Sequence, residues 1–224
     1  MTGNTTRRLL VIASHPDDEV LGCGGLLART KREGGEFAVL ILTEGSTTQY
    51  PDRPDLVEKK EVEAANAVGR LGGGELEFAR LPDMALSTLA PAEVSAPIER
   101  MISEFRPMWV LTHHGGDLNR DHQVAHEATR VACRPRDAES PRLLTYETVS
   151  STEWGTQPFE PNVFVRVSEE DLTRKVDAFA AYETEMRPAP HPRSPETIRH
   201  LAALRGSQSG MPLAEAYRSV WERV

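Results

Sequence analysis

The chain has 224 residues, 39% of them hydrophobic and 27% charged, and carries a formal net charge of −8. That length fills one core, so a single domain over residues 1–224 is expected, and the acidity argues against a nucleic-acid backbone as partner, which needs concentrated Lys and Arg. No apolar run approaches a membrane span or a signal peptide, and Cys23 and Cys133 are too few for a disulfide framework, so a cytoplasmic protein is expected.

The first element is the apolar run Leu9-Leu10-Val11-Ile12-Ala13. Five apolar residues without alternation fit a strand buried on both faces. Residues from about Asp18 to Glu33 then read as a helix that ends at Gly34-Gly35. Glu36 to Thr43 is a second buried strand, leaving into a polar loop, Glu44 to Pro51. Asp55 to Val68 reads as a surface helix, and Leu76 to Ala79 as a short third strand followed by the loop Leu81-Pro82-Asp83-Met84. Ala92 to Phe105 is a third helix. Met108 to Thr112 is a fourth strand running into His113-His114-Gly115-Gly116-Asp117-Leu118-Asn119-Arg120-Asp121-His122, with a helix onward to about Cys133. Leu143 to Tyr146 is a fifth strand.

The strand and helix alternation predicts an α/β, Rossmann-like fold, with a mostly parallel sheet covered by helices on both faces in three α/β/α layers. Residues 156–224 are less regular and are expected to complete the same domain. There Val163 to Val167 reads as a strand, Glu169 to Glu185 as a helix, Met186 to Pro195 as a surface loop and Ser194 to Leu204 as a helix. Ala214 to Trp221 is a strand or a helix.

Every segment with unusual polar chemistry follows a predicted strand, where open α/β sheets place their sites. His15 and Asp18, three apart in Ser14-His15-Pro16-Asp17-Asp18-Glu19, suit zinc or a similar borderline divalent ion. A catalytic site needs one more protein ligand and an open position for water. His122 and His126 both offer it. Val124, Ala125, Ala128, Val131 and Ala132 form the apolar stripe of their helix; His126 lies nearly opposite this stripe and reads as a surface histidine, whereas His122 sits in the first turn beside the strand ends. His122 is therefore the expected third ligand. Asp17 has the type and place of a general base, with helix capping as the plainer role for Asp17 or Asp18. Glu19 reads as structural or exposed. The glycines of Gly22-Cys23-Gly24-Gly25 lie inside a helix pattern and form no dinucleotide fingerprint, and no Gly-X-Ser-X-Gly elbow exists.

Ala13 to Glu19 with Gly22-Cys23-Gly24-Gly25, together with Asp121-His122, resembles the two signatures of the PIG-L/LmbE-like zinc-dependent N-acetylglucosaminyl deacetylases. His113-His114 through Asp117 and Asn119 resembles a bacterial branch acting on sugars or sugar-containing metabolites. The resemblance runs to about residue 155, and Ala214-Glu215-Ala216-Tyr217 resembles the closing segment. It implies a Rossmann-like fold, zinc on His15, Asp18 and His122, and Asp17 as base. The small-molecule partner it implies is an N-acetylated amino sugar or glycosylated metabolite; a homo-oligomer is left open.

One position departs from the pattern. Many members carry a histidine three residues before the distal ligand, and here Asn119 stands there. A neutral amide donates a hydrogen bond to an oxyanion but delivers no proton. The acid role then falls to His113, to His114 or to Asp17 after it has taken the water's proton. Asp117 orients an imidazole or caps a turn. Tyr50, Asp83 and Trp154 are candidate sugar contacts, with a partly buried anchor as the other reading of Trp154. Two further readings are a metal-dependent hydrolase of another C–N bond and an idle metal- or sugar-binding protein.

Overall fold

A computed structural model of the chain describes residues 7–48 and 50–221. In chain order they form β1 (Arg8–Ala13), α1 (Asp18–Arg32), β2 (Glu36–Thr43), α2 (Asp55–Arg70), β3 (Glu75–Leu81), α3 (Pro91–Phe105), β4 (Trp109–His113), α4 (Arg120–Ala132), β5 (Arg142–Tyr146), β6 (Val163–Arg166), α5 (Glu169–Phe179), α6 (Pro195–Ser209) and β7 (Ala214–Trp221).

Seven strands form one sheet in the order β3-β2-β1-β4-β5-β7-β6. The first five pair in parallel; β7 runs antiparallel to both β5 and β6. Because side chains alternate along a strand, β1 sends Leu9, Val11 and Ala13 to one face and Leu10 and Ile12 to the other. The first face packs with residues of α1, α2 and α5, the second with residues of α3 and α4. Helices thus cover both faces, and the architecture is the three-layer, Rossmann-like one expected. The chain winds outward from β1 in both directions. The β1–β4 junction is therefore the topological switch point, outside whose carboxyl ends such sheets bind ligands.

In the C-terminal third one expectation needs correction and one open alternative is decided. The helix predicted over Glu169 to Glu185 stops at Phe179. The chain there turns so that Tyr182 enters the core, its hydroxyl donating to Glu19 Oε1. Ala214–Trp221, undecided in sequence, is a strand, with Tyr217 registered between Tyr146 of β5 and Val163 of β6.

The glycine series of α1 has a packing role. Glu215 of β7 reaches into α1, where its carboxylate accepts from the Gly25 and Leu26 backbone N–H groups at 2.9 and 2.6 Å. Lys175 of α5 donates to Glu215 at 2.6 Å and to the Leu21 carbonyl at 2.7 Å. Burying this pair is tolerable because both charges have close partners. Gly22 lies under the Tyr146 ring, where an added Cβ would stand 2.2 Å from a ring carbon. The Tyr146 hydroxyl is held on the Ile12 carbonyl at 2.9 Å, so the ring cannot easily yield. Gly22→Ala should therefore destabilise the fold by about 1–3 kcal/mol despite alanine's better helix propensity. A fall in the urea midpoint is the expected result; an unchanged or raised midpoint would show that α1 and β5 are not in this contact.

Candidate metal centre and active site

The loop between β1 and α1 delivers His15, Asp17 and Asp18 to the switch point. The backbone N–H of His15 donates to Asp18 Oδ2 at 2.9 Å, which folds the turn back on itself. Asp17 occupies the position before the helix, yet its side chain makes no capping bond and its φ is 119°. Such a conformation is costly for a residue with a Cβ, and is kept where the surroundings enforce it. Here the Asp17 N–H donates to Glu19 Oε2 at 3.1 Å, and its carbonyl accepts from Val20 and Leu21 at 3.1 and 3.0 Å. Glu19 is fully buried and holds this turn from below.

His122 arrives from the first turn of α4, whose start is capped by Asn119 accepting the Asp121 N–H at 2.8 Å. Three donor atoms then converge. His15 Nδ1 lies 3.2 Å from Asp18 Oδ2, Asp18 Oδ2 lies 3.3 Å from His122 Nε2, and His122 Nε2 lies 3.3 Å from His15 Nδ1. Ligand atoms bound to zinc at 2.0–2.2 Å and at tetrahedral angles stand about 3.4 Å apart. The triangle therefore fits a divalent ion with borderline N/O preference, and three protein donors are one fewer than a tetrahedral ion takes.

Surrounding carboxylates reinforce the triangle. Asp117 Oδ1 lies 3.1 Å from His122 Nδ1 and is itself fixed by Ser151, Thr152 and the Asn119 N–H. It thus orients the ring toward the centre, as outer carboxylates do in metal sites. Burial works against the Asp117 charge, but the His122 contact and the two hydroxyls outweigh it and hold its carboxyl at about 2. Burial likewise disfavours charge on His122, but Asp18 and Asp117 raise it to about 9. His15 behaves in the same way: against burial, Asp121 and Asp18 lift it to about 10.

Asp17 is not among the three donors. Its Oδ2 meets Arg193 Nη1 at 3.1 Å, and the same nitrogen meets Glu185 Oε2 at 2.6 Å. Arg193 Nε donates to Ser150 at 2.7 Å, and Lys60 pairs with Glu185 at 3.0 Å. Burial pushes the Asp17 carboxyl up to about 8, with Arg193 opposing and Asp18 adding to the shift. A carboxylate so placed is able to take a proton and to keep it near neutral pH.

The histidines after β4 divide in a way sequence did not resolve. His113 is fully buried, with Nε2 accepting the Ser14 N–H at 2.9 Å and facing the Tyr146 hydroxyl at 3.2 Å. Its Nδ1 meets Thr148 Oγ1 at 3.2 Å, and its ring stacks on His122 with centroids 3.8 Å apart. Both nitrogens are engaged, and burial keeps the ring far below its ordinary basicity. In this geometry the ring packs on His122 and is held by Ser14 and Thr148. His114 turns away, its Nε2 contacting the Gln157 carbonyl at 3.2 Å. His126 is half-buried, not a free surface residue: its Nδ1 meets the His113 carbonyl at 2.9 Å, and it lies outside the donor triangle. The apolar stripe of α4 also needs correction, since Val131 is exposed.

Sequence reasoning missed Arg193, Glu185 and Lys60. The proline-rich segment 186–195, expected to be a surface loop, carries Arg193 inward, and no local pattern signals that. Arg193→Ala should lower kcat by about 10- to 100-fold, the size of a lost charge-assisted hydrogen bond of ~1.5–3 kcal/mol, with metal content unchanged. Arg193→Lys should recover part of that loss. Unchanged kcat in the alanine variant would detach Arg193 from the site.

Comparison with known proteins agrees with this geometry. The family described as PIG-L, GlcNAc-PI de-N-acetylase, matches residues 10–133. The chain belongs to this family. The Escherichia coli (strain K12) protein YaiS, described as an uncharacterized deacetylase, is 30% identical over 187 residues, covering 82% of this chain and 94% of YaiS. A 1D-myo-inositol 2-acetamido-2-deoxy-alpha-D-glucopyranoside deacetylase of Kineococcus radiotolerans is 29% identical over 157 residues, 55% of this chain. The match spans only 44% of that relative's length. Among solved structures, GalB, the 4-carboxy-2-hydroxymuconate hydratase from Pseudomonas putida KT2440, matches with a TM-score of 0.77 at 20% identity, covering 98% of each chain. That likeness concerns the fold alone, and a hydratase shares it. Function is therefore read from the site and the family, not from the fold. Together, the family and the His/Asp donor group make the chain a metal-dependent amide hydrolase. Among the described residues no helix is long and apolar enough to cross a membrane.

Proposed function

We propose that this PIG-L-family enzyme removes the N-acetyl group of an acetamido sugar or sugar-containing metabolite, releasing acetate and a free amine, with zinc held by His15, Asp18 and His122. The observation that carries the reading is the near-equilateral donor triangle with one buried carboxylate, Asp17, left over beside it. A structural zinc site closes with four protein ligands and has no use for such a group. The 2-acetamido sugar deacetylases among the relatives support the substrate class.

When bound, the ion supplies Lewis acidity, polarising the amide carbonyl and lowering the pKa of water toward neutrality. The residues of this chain do the rest. Asp17, aligned by Arg193, accepts the proton of the attacking water on its carboxylate. Asn119 spends its side-chain oxygen on the cap of α4, so its NH₂ group, 3.9 Å from Met84 Sδ, remains as a hydrogen-bond donor toward developing negative charge. With His113 engaged on both nitrogens, Asp17 returns the proton to the departing amine. Burial raises the proton affinity of this carboxylate, which favours its keeping the proton until the amine departs, while Arg193 and a bound cation would favour the ionised form that first accepts it.

Four loops at the carboxyl ends of the strands present exposed apolar side chains: Tyr50, Met84, Leu118 and Trp154. Trp154 is 58% exposed, which favours stacking on a sugar ring over the role of a buried anchor. An assay of acetate and primary amine across N-acetylated sugars, N-acetylated amino alcohols and O-acetylated sugars tests the proposal. Equal yields of acetate and amine from an N-acetylated sugar are expected. Release only from amino alcohols, or amine without acetate, would favour cleavage of another C–N bond.

A further inference from the structure

The opposite edge of the His15 ring faces a second set of ligand-type atoms. His15 Nε2 lies 3.4 Å from Asp121 Oδ2 and 3.6 Å from Asp83 Oδ1. These separations match the spacing of about 3.4 Å between neighbouring ligands of a tetrahedral divalent ion. Asp83 and Asp121 are 2% and 1% exposed. His15 Nε2 and Asp121 Oδ2 are buried with no partner of hydrogen-bond geometry beyond this contact with each other; Asp121 Oδ1 takes the Leu86 N–H at 3.1 Å, and Asp83 Oδ1 lies 3.5 Å from Thr43 Oγ1 while its Oδ2 is buried without a partner. Asp83 comes from the loop after β3 and Asp121 from α4, so two separate elements place their carboxylates on one ring nitrogen.

A single carboxylate is enough to orient a metal-ligating imidazole. Two on the same nitrogen offer more acceptor oxygens than one N–H can pair with, and buried polar atoms left without a partner are costly. We propose that His15 Nε2, Asp83 and Asp121 form a second, weaker site for a borderline divalent cation such as Zn²⁺, Co²⁺ or Mn²⁺, sharing the His15 ring with the first. One nitrogen and two carboxylate oxygens suit these ions, and the two sites use opposite nitrogens of one imidazole. Filling the second replaces the Nε2 proton, which leaves to solvent. The shared ring makes the two sites antagonistic, so the second fills only when metal exceeds one equivalent. This inference rests on His15, Asp18 and His122 forming the first site.

Equilibrium dialysis against buffered Zn²⁺, with metal counted by mass spectrometry, tests it. The wild-type chain should bind two equivalents, the second at least tenfold more weakly. Asp83→Asn, nearly isosteric, should bind one, with the affinity of the first changed less than twofold. Asp18→Asn should lose the tight equivalent and retain the weaker one, which separates failure of the first site from failure of the second. Titration with Co²⁺ gives an independent readout: the second equivalent should add visible absorption in the wild type and none in Asp83→Asn. Should Asp83→Asn fold poorly, Asp83→Ser serves in its place. Saturation of the wild type at one equivalent, or two equivalents in a folded Asp83 variant, would overturn the proposal and leave both carboxylates as orienting groups.

Discussion

Asp17→Asn is expected to lower kcat by roughly 10²- to 10⁴-fold, the range that a positioned acid or base contributes, while fold and metal content stay intact. The substitution isolates the chemistry for two reasons. Asparagine tolerates positive φ better than most residues, so the 119° backbone of this position is not an added burden. Its amide oxygen can still face Arg193, which Glu185 and Ser150 hold in place. What is lost is the capacity to take a proton from water and return it to the amine. With one group proposed for both steps, the defect should appear in kcat at saturating substrate rather than in KM alone. Near-normal turnover in a metal-replete Asp17→Asn protein would remove Asp17 from the mechanism.

The second large effect concerns the metal. Replacing His15, Asp18 or His122 with Ala removes one of three proposed protein ligands and should cost far more affinity than the roughly 10- to 100-fold lost when an outer hydrogen-bond partner of a metal site is removed. Asp18 should be the most damaging. Its Oδ2 stands 3.2 Å from His15 Nδ1 and 3.3 Å from His122 Nε2, so its loss leaves the two remaining donor imidazoles gathered without their anion. Asp117→Asn should fall within the smaller, outer range, since it only turns the His122 ring. His126→Ala should change zinc binding little, because that ring is spent on the His113 carbonyl. Metal analysis in a zinc-buffered solution checks the series. Full occupancy in His122→Ala with loss in His126→Ala would invert the assignment.

The sheet and its helices were legible in sequence because buried parallel strands read as unbroken apolar runs, as in Leu9 to Ala13 and Phe37 to Leu42. The convergence of His15, Asp18 and His122 was legible because two come from one turn and the third from a first helical turn at the neighbouring strand end. Three other features were not. Arg193 reaches Asp17 from a segment far along the chain, and an arginine within a proline-rich loop carries no local mark of an inward path. His113 and His114 are adjacent, and only the tertiary positions of Ser14, Tyr146, Thr148 and Gln157 decide which faces the centre: His113 contacts the first three and stacks on His122, while His114 meets the Gln157 carbonyl. The chain beyond the end of α5 at Phe179 carries Tyr182 to Glu19, a partner 163 residues away, which no local pattern marks. Glu19 itself, read as structural or exposed, is buried and accepts from Tyr182 and from the Asp17 N–H.

The central claim, metal-dependent removal of an N-acetyl group at this centre, is tested most directly by following acetate release against metal occupancy. The protein is stripped with a chelator, dialysed, and reloaded with zinc in steps up to one equivalent, using an N-acetylated amino sugar that the wild type turns over. The account predicts negligible acetate from the stripped chain, turnover rising in proportion to bound zinc, one amine per acetate throughout, and no recovery in His122→Ala over the same range. Full turnover in metal-free wild-type protein, or zinc binding with no acetate from any N-acetylated sugar, would contradict it.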